Sequence, residues 1–210
     1  MELSYHNEIK PRPKGTKKLF NNPILEKLSR TNIAIPLSVY GIISLAFLYY
    51  GIAQMGIGIL MTVGLFFVGL ISFTLAEYLM HRYLYHHEPT TDKGRHFIYT
   101  VHGVHHEFPK DKDRLAMPPL LAVILISVLY LIFELFMGAN VFAFLPGFIT
   151  GYSLYLFVHY AVHAYQPPKN FLKVLWVNHG IHHYKEPGRA YGVSSPLWDV
   201  IFRTLPESKK

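Results

Sequence analysis

Ten of the 13 histidines in this 210-residue chain stand in four strings, and cysteine is absent. His81 and His86 frame HRYLYH. His102, His105 and His106 make HGVHH. His159 and His163 frame HYAVH. His179, His182 and His183 make HGIHH. Neutral imidazole is the commonest side-chain metal ligand and suits zinc, iron, copper and nickel. Residues three and four apart share one face of a helix. Each HGxHH string therefore presents three converging imidazoles, and His159 with His163 presents two. The five-residue step from His81 to His86 fits a helix less well and is expected to straddle a helix end. Ten ligands are too many for one ion; they suit two ions with mostly imidazole coordination, built from both halves of the chain. His6 and His96 are isolated and read as ordinary surface residues. His87 breaks the pair spacing beside His86 and reads as a bystander or a support for its neighbour.

The elements that must position these strings follow from the distribution of charge. The chain is 51% hydrophobic and 16% charged, where a soluble domain carries about 25% charged residues. Seven of the 20 Lys and Arg precede residue 33, six lie between Arg82 and Arg114, and seven follow Pro168. The two intervening windows, each about 50 residues long, hold none; each can accommodate two spanning helices of about 20 residues. Apolar runs at 33–52, 57–79, 120–137 and 141–158 are separated by short turns at 53–56 and 138–140. Backbone polar groups in lipid must be satisfied within the segment, so the spans are helical. Four crossings return both termini to one face and put every Lys and Arg there, which places that face in the cytoplasm.

The expected fold class is an all-α integral membrane protein. Its four transmembrane helices form two hairpins, under a cytoplasmic, helical, histidine-rich cap that holds a dimetal site. The expected divisions are a cytoplasmic arm (1–32), a first hairpin (33–79), a cytoplasmic histidine segment (80–119), a second hairpin (120–158) and a cytoplasmic histidine segment with tail (159–210). The arm is polar throughout and does not read as a cleavable signal; residues 10–18, with Pro11 and Pro13, read as an irregular tail or surface-lying arm. The net charge of +7 is explained by topology and attraction to anionic lipid, not by nucleic-acid binding, which calls for a basic face interleaved with stacking aromatics. Missing cysteine excludes thiolate metal sites, Cys nucleophiles and iron–sulfur clusters.

The histidine strings resemble the boxes of the membrane fatty acid hydroxylase and sterol desaturase superfamily. The segment HGVHHEFPKDKDRLAMPP and the tail HGIHHYKEPGRAYGVSSPLWDVIFRTL resemble its fatty acid 2-hydroxylase branch, and the resemblance covers about residues 75–205. It implies ten metal ligands: His81, His86, His102, His105, His106, His159, His163, His179, His182 and His183. It also implies two metal ions, iron in the working enzyme with zinc possible in purified protein. The implied reaction inserts one oxygen atom from O2 at carbon 2 of a long acyl chain, carried as free acid, thioester or sphingolipid N-acyl group. Ligation without sulfur suits such chemistry, because no ligand is itself oxidised. The chain shows no HPGG haem-binding string and no room for a cytochrome b5 domain before residue 33. A separate electron donor of cytochrome b5 or ferredoxin type is therefore expected. Glu107 departs from the aromatic residue expected after HGxHH.

Glu77, one turn before His81, and Asp199 in the tail are candidates to orient imidazoles, as is Asn178 beside His179. Tyr160 and Tyr184 flank histidines, as interfacial tyrosines often do without catalytic meaning. Gly64, Gly69, Pro146, Gly147 and Gly151 permit close helix packing or a kink. The competing readings are sterol or carotenoid hydroxylation or desaturation within the same superfamily, a metal transporter, and an inactive metal-stabilised scaffold. A transporter should carry its ligands near the bilayer midplane, whereas these strings lie at the ends of spans. The membrane is the bacterial inner membrane, or the endoplasmic reticulum in a eukaryote.

Overall fold

Residues 9–208 are described by the structure, a computed structural model. Every regular element among them is helical. The first, α1 (Pro23–Leu28), starts where Asn22 Oδ1 accepts from the Ile24 and Leu25 amides, with proline at the first helical position. Then follow α2 (Ala34–Ala53) and α3 (Ile59–Leu79), which between them hold a single acidic or basic side chain, Glu77. Gly56, at φ 67°, makes the turn between them.

After α3 the helix widens into a π-helical turn, Met80–Tyr85. Next come α4 (Asp92–Ile98), capped by Thr91 Oγ1 on the Gly94 amide, a second π-helical turn at Tyr99–Gly103, and α5 (Val104–Glu107). The long helices α6 (Pro119–Met137) and α7 (Val141–Ala164) follow, then α8 (Lys173–Tyr184) and the short α9 (Leu197–Ile201).

Helix α7 is the centre of the bundle. Its Val141, Leu145, Ile149 and Leu156 are buried with Tyr40 of α2 and with Ala122 and Ile126 of α6. Its contact with α3 is backbone on backbone. A Cβ on Gly147 would sit 1.8 Å from the Phe66 carbonyl oxygen, and one on Gly69 would sit 2.1 Å from that of Phe144. Small residues permit this approach where lipid supplies no hydrophobic drive between helices. Gly151 instead packs against the Phe73 side chain, with its Cβ position 2.7 Å from Phe73 Cβ, whereas Gly64 faces open space. The outward faces carry exposed apolar side chains, among them Leu60, Ile71, Leu135 and Phe136. Such a surface belongs in lipid and not in water.

Three helical stretches are long and apolar enough to cross a membrane: Ala34–Ala53, Ile59–Tyr85 and Lys112–Ala164. The sequence leads one to expect four. The difference lies at residues 138–140, where a 3-10 turn joins α6 to α7 without a loop, so the two count as one stretch of 53 residues. That stretch is folded back on itself. Gly138 adopts φ 54°, and the Phe133 ring lies 5.0 Å from Phe144 and 5.8 Å from Phe148. Residues 133 and 148 would be about 22 Å apart along a straight helix.

The arm before α2 is docked, not free. The Arg12 amide donates to the Glu107 carbonyl (2.7 Å) and the Thr31 amide to that of Asp113 (2.8 Å). Arg114 binds the Glu26 carboxylate (2.5 Å), the Ser29 hydroxyl (2.9 Å) and the Lys17 carbonyl (2.7 Å). The arm thus lies along residues 107–114, and it contains the helix α1, which the sequence did not announce.

Candidate metal centre

The π-helical turn after α3 explains the awkward five-residue spacing. In it the His86 amide donates to the His81 carbonyl, an i to i+5 bond of 3.1 Å. This wider turn brings residues five apart onto one side, and such turns favour functional sites. A second π-helical turn places His102, and α5 carries His105 and His106. His159 and His163 lie on α7, which runs six residues past the expected end at 158. His179, His182 and His183 lie on α8.

All ten come together in two groups of five. Group one is His81, His86, His102, His106 and His182; group two is His105, His159, His163, His179 and His183. Within each group one nitrogen per residue lies within 4.8 Å of all the others. The groups adjoin, with the rings of His106 and His183 stacked 4.2 Å apart. The three imidazoles of each HGxHH string, expected to converge, are divided between the two groups. In each string the outer pair, four residues apart, serves one group, and the middle histidine crosses to the other. His105 thus leaves His102 and His106 to join group two, and His182 leaves His179 and His183 to join group one. The 100° turn per residue separates the middle imidazole from its i+4 partner enough to face the neighbouring group.

The nitrogen spacings fit metal ions. Nε2 atoms lie 2.9 Å apart for His102 and His106, 2.9 Å for His105 and His159, 2.8 Å for His163 and His179, and 3.0 Å for His179 and His183. Two imidazoles at right angles around an ion, each about 2.0–2.1 Å from it, are about 2.9 Å apart. A shared proton could link one such pair. It cannot link the chain His163–His179–His183, because a ring nitrogen has one in-plane donor or acceptor position. Burial, with the neighbouring imidazoles, holds His102, His105, His179 and His183 well below the ordinary histidine pKa. They are therefore neutral and ready to coordinate.

Behind group one lies a second layer. His81 Nδ1 is 2.6 Å from the Tyr191 carbonyl and His182 Nδ1 is 2.7 Å from that of Arg189. This makes both Nδ1 atoms donors and leaves Nε2 for the ion. Glu77 and Asp199 are both buried. They bind the amides of residues 191–194. Asn178 is buried but makes no hydrogen bond to a ligand. Tyr160 lies under the Lys112 ammonium and Tyr184 is exposed. His87 and His96 are exposed and in neither group; His6 lies outside the described residues. Glu107 binds the Tyr99 hydroxyl, Arg12 (3.0 Å) and Lys17 (3.7 Å), clasping the arm.

Two cavities of about 270 and 260 Å³ reach the histidines. The larger is apolar, runs among Phe73, Ile126, Phe148 and Ile149, and ends at Glu77 and His81. The smaller touches His102, His105 and His159, and Leu19 and Phe20 of the arm form part of its wall with Arg114. Tyr85, Met117, Tyr152 and Tyr155 line both. Tyr85 stacks on His102 (5.0 Å between ring centroids) and Tyr155 on His159 (5.4 Å). Sequence reasoning passed over these tyrosines and over Leu19 and Phe20 of the arm. Tyr85 had a signal, standing inside a histidine string; Leu19 and Phe20 had none.

Apolar helices packed through glycine, ending in two five-histidine groups with a cavity leading to them, define a membrane-type metal-site protein. The chain belongs to the fatty acid hydroxylase family, whose model matches residues 66–204. It is 37% identical over 198 residues to the ceramide very long chain fatty acid hydroxylase of Schizosaccharomyces pombe, covering 92% of this chain and 56% of that protein. It is 39% identical over 155 residues to the fatty acid 2-hydroxylase of Homo sapiens, covering 70% of this chain and 40% of that one. The chain thus spans about half the length of these relatives. The solved structure of full-length scs7p, in which only the hydroxylase domain is visible, superposes with a TM-score of 0.88 at 31% identity, covering all of this chain and 82% of that one.

Proposed function

We propose that this protein is a membrane dimetal monooxygenase that hydroxylates carbon 2 of a long-chain fatty acyl group, carried as free acid, thioester or sphingolipid N-acyl group. The observation that carries this reading is the pair of five-histidine groups at the end of an apolar cavity, in a chain of the fatty acid hydroxylase family. The names of its relatives, which include a dihydroceramide fatty acyl 2-hydroxylase of Arabidopsis thaliana at 37% identity, support the position on the acyl chain.

The ligands in this reading are His81, His86, His102, His106 and His182 for one ion, and His105, His159, His163, His179 and His183 for the other, with iron in the working enzyme and zinc as a substitute after purification. Bound there, the ions supply O2 activation and the oxidising power to break an aliphatic C–H bond. The rest is positioning and exclusion of water. The larger cavity holds the acyl tail among Phe73, Ile126, Phe148 and Ile149. Met117 and Tyr85, common to both cavities, hold the head end against the histidines. Leu19 and Phe20 keep water from the smaller cavity. Electrons come from a separate donor of cytochrome b5 or ferredoxin type.

The topology in this reading has four crossings, with α6 and α7 as separate passes forming the second hairpin. The histidine cap and both termini are cytoplasmic, in a bacterial inner membrane or the endoplasmic reticulum. The distribution of Lys and Arg supports it.

Mass spectrometry of total lipids from cells expressing the chain, beside a His182→Ala control, tests the function. Acyl chains gain one oxygen at carbon 2 with the native chain and not with the control. No such product, with iron, substrate and reductant supplied, would sink the proposal.

A further inference from the structure

The ten histidines are not equally supported. In group one, the Tyr191 and Arg189 carbonyls fix His81 and His182 through Nδ1. Between those two residues Ala190 adopts φ 57°, a left-handed conformation that is strained for a non-glycine residue and persists only where its surroundings impose it. They do so here through two buried carboxylates on different helices. Glu77 of α3 accepts through Oε1 from the amides of Val193 (2.7 Å) and Ser194 (2.9 Å), and through Oε2 from the Ser194 hydroxyl. Asp199 of α9 accepts through Oδ1 from the Tyr191 amide (3.0 Å) and the Thr204 hydroxyl (2.7 Å), and through Oδ2 from the Gly192 amide (2.8 Å). A Cβ on Gly192 would lie 2.2 Å from the Ser195 carbonyl oxygen and 2.9 Å from Asp199 Oδ2, so the segment is pressed onto its clamp. In group two, by contrast, Nδ1 of His105, His179 and His183 is buried with no hydrogen-bond partner among the described residues.

We infer that residues 189–195, clamped by Glu77 and Asp199, act as the positioning layer of group one alone, and that the two metal positions differ as a result: group one retains its ion under chelation and group two releases its ion first. The inference rests on the dinuclear reading of the site. Partners behind a ligating imidazole fix its tautomer and direction and raise its basicity, and their loss costs about 10- to 100-fold in metal affinity. Group one has that support at two of its five ligands and group two lacks it at three. Glu77 and Asp199 are therefore positioning residues. They act through the segment: the hydrogen bonds of their carboxylates go to residues 191–194 and to Thr204.

The test is a timed EDTA challenge of the full-length protein in lipid nanodiscs, loaded with zinc, with bound metal counted by mass spectrometry. Native protein should hold two ions and lose them in two phases differing about 10- to 100-fold in rate. His179→Ala should remove the fast phase and His182→Ala the slow one. Glu77→Gln should keep the slow phase, because an amide can accept from both main-chain amides through its oxygen and donate to Ser194 Oγ through its nitrogen. Glu77→Leu, which can do neither, should lose it. Asp199→Asn should speed the slow phase, because its NH2 must face a main-chain N–H. If Asp199→Asn fails to fold, Thr204→Val removes one donor to the same carboxylate and carries the test. A single phase for both ions in native protein would overturn the inference. So would an Asp199→Asn protein in which only the phase assigned to group two changed. Fewer than two ions on the native chain would overturn the dinuclear reading and this inference with it.

Discussion

Gly147→Ala tests whether the α3–α7 contact sets the geometry of the metal centre. The added methyl carbon would fall 1.8 Å from the Phe66 carbonyl oxygen, 2.7 Å from its carbon and 2.9 Å from Phe66 Cα. All three are backbone atoms, so no rotamer change relieves the overlap. Ordinary contact begins at 3.4 Å, so the helices must move apart by about 1.6 Å at this point. Overpacking of this kind costs about 1–3 kcal/mol. The larger effect is on the centre, because α3 leads into His81 while α7 carries His159 and His163. A displacement of about 1 Å in a catalytic arrangement can cost about 100-fold in rate. Gly64→Ala is the control: nothing lies within 4 Å of its Cβ, and replacing glycine in a helix favours the helix by up to about 1 kcal/mol. Thermal unfolding in detergent and lipid hydroxylation in cells should both fall for Gly147→Ala and both hold for Gly64→Ala. Equal behaviour of the two variants would refute the argument that direct backbone contact positions the two halves.

Further outcomes follow from the cavities and the arm. Met117→Trp places a large ring in the wall common to both cavities; hydroxylation should fall by at least about tenfold while metal content, read by mass spectrometry, stays native. Arg114→Met removes the guanidinium that binds Glu26, Ser29 and the Lys17 carbonyl. Losing these part-buried, charge-assisted bonds costs on the order of 1.5–3 kcal/mol, and limited proteolysis should then cut the arm near Lys17 at a markedly higher rate. Partial burial raises the Glu26 carboxyl, but the Leu19 and Phe20 amides, Arg114 and Arg30 overcome this and hold it at about 2, against 4.5 when free. The folded value is the lower one, so its contribution to arm docking is complete above pH 4.5 and is lost as pH falls toward 2. Hydrogen exchange at Leu19 and Phe20, corrected for intrinsic rates, should report that window, and protection unchanged down to pH 2 would contradict it.

The long helices were legible because their signal is additive: some twenty mostly apolar residues without a Lys or Arg define each of them, and Gly56 and the Gly138 turn fall where the apolar runs break. The ten histidines were legible as a set for a similar reason, since their clustering does not depend on how they are shared out. Their partition was not legible. It depends on how two HGxHH helices face each other, and period-3.6 reasoning treats i+3 and i+4 as one face. The π-helical turns were hidden as well, although the five-residue step between His81 and His86 marked the place. Glu77 and Asp199 were picked out as candidates to orient imidazoles, yet their partners are main-chain amides of residues 191–194, which no side-chain pattern encodes. The docking of the arm turns on Glu107 and Arg114, polar residues far in sequence from what they bind.

The crossing of the middle histidines has a consequence for how the site holds together. Without it, each group would draw on one half of the chain: the π-helical turn and the HGVHH segment for one, α7 and the HGIHH helix for the other. Each half could then bind an ion alone. With His105 in group two and His182 in group one, neither group is complete until both halves have docked. The contact that docks them is the Gly69–Gly147–Gly151 seam between α3 and α7. Four buried imidazoles and one half-buried one per group are costly to gather without an ion, and an ion bound by both halves would return that cost as association of the halves. The seam and the crossed ligands therefore stabilise one another, and the segment held by Glu77 and Asp199 joins the same coupling, because Glu77 stands on α3 while His182 stands on α8.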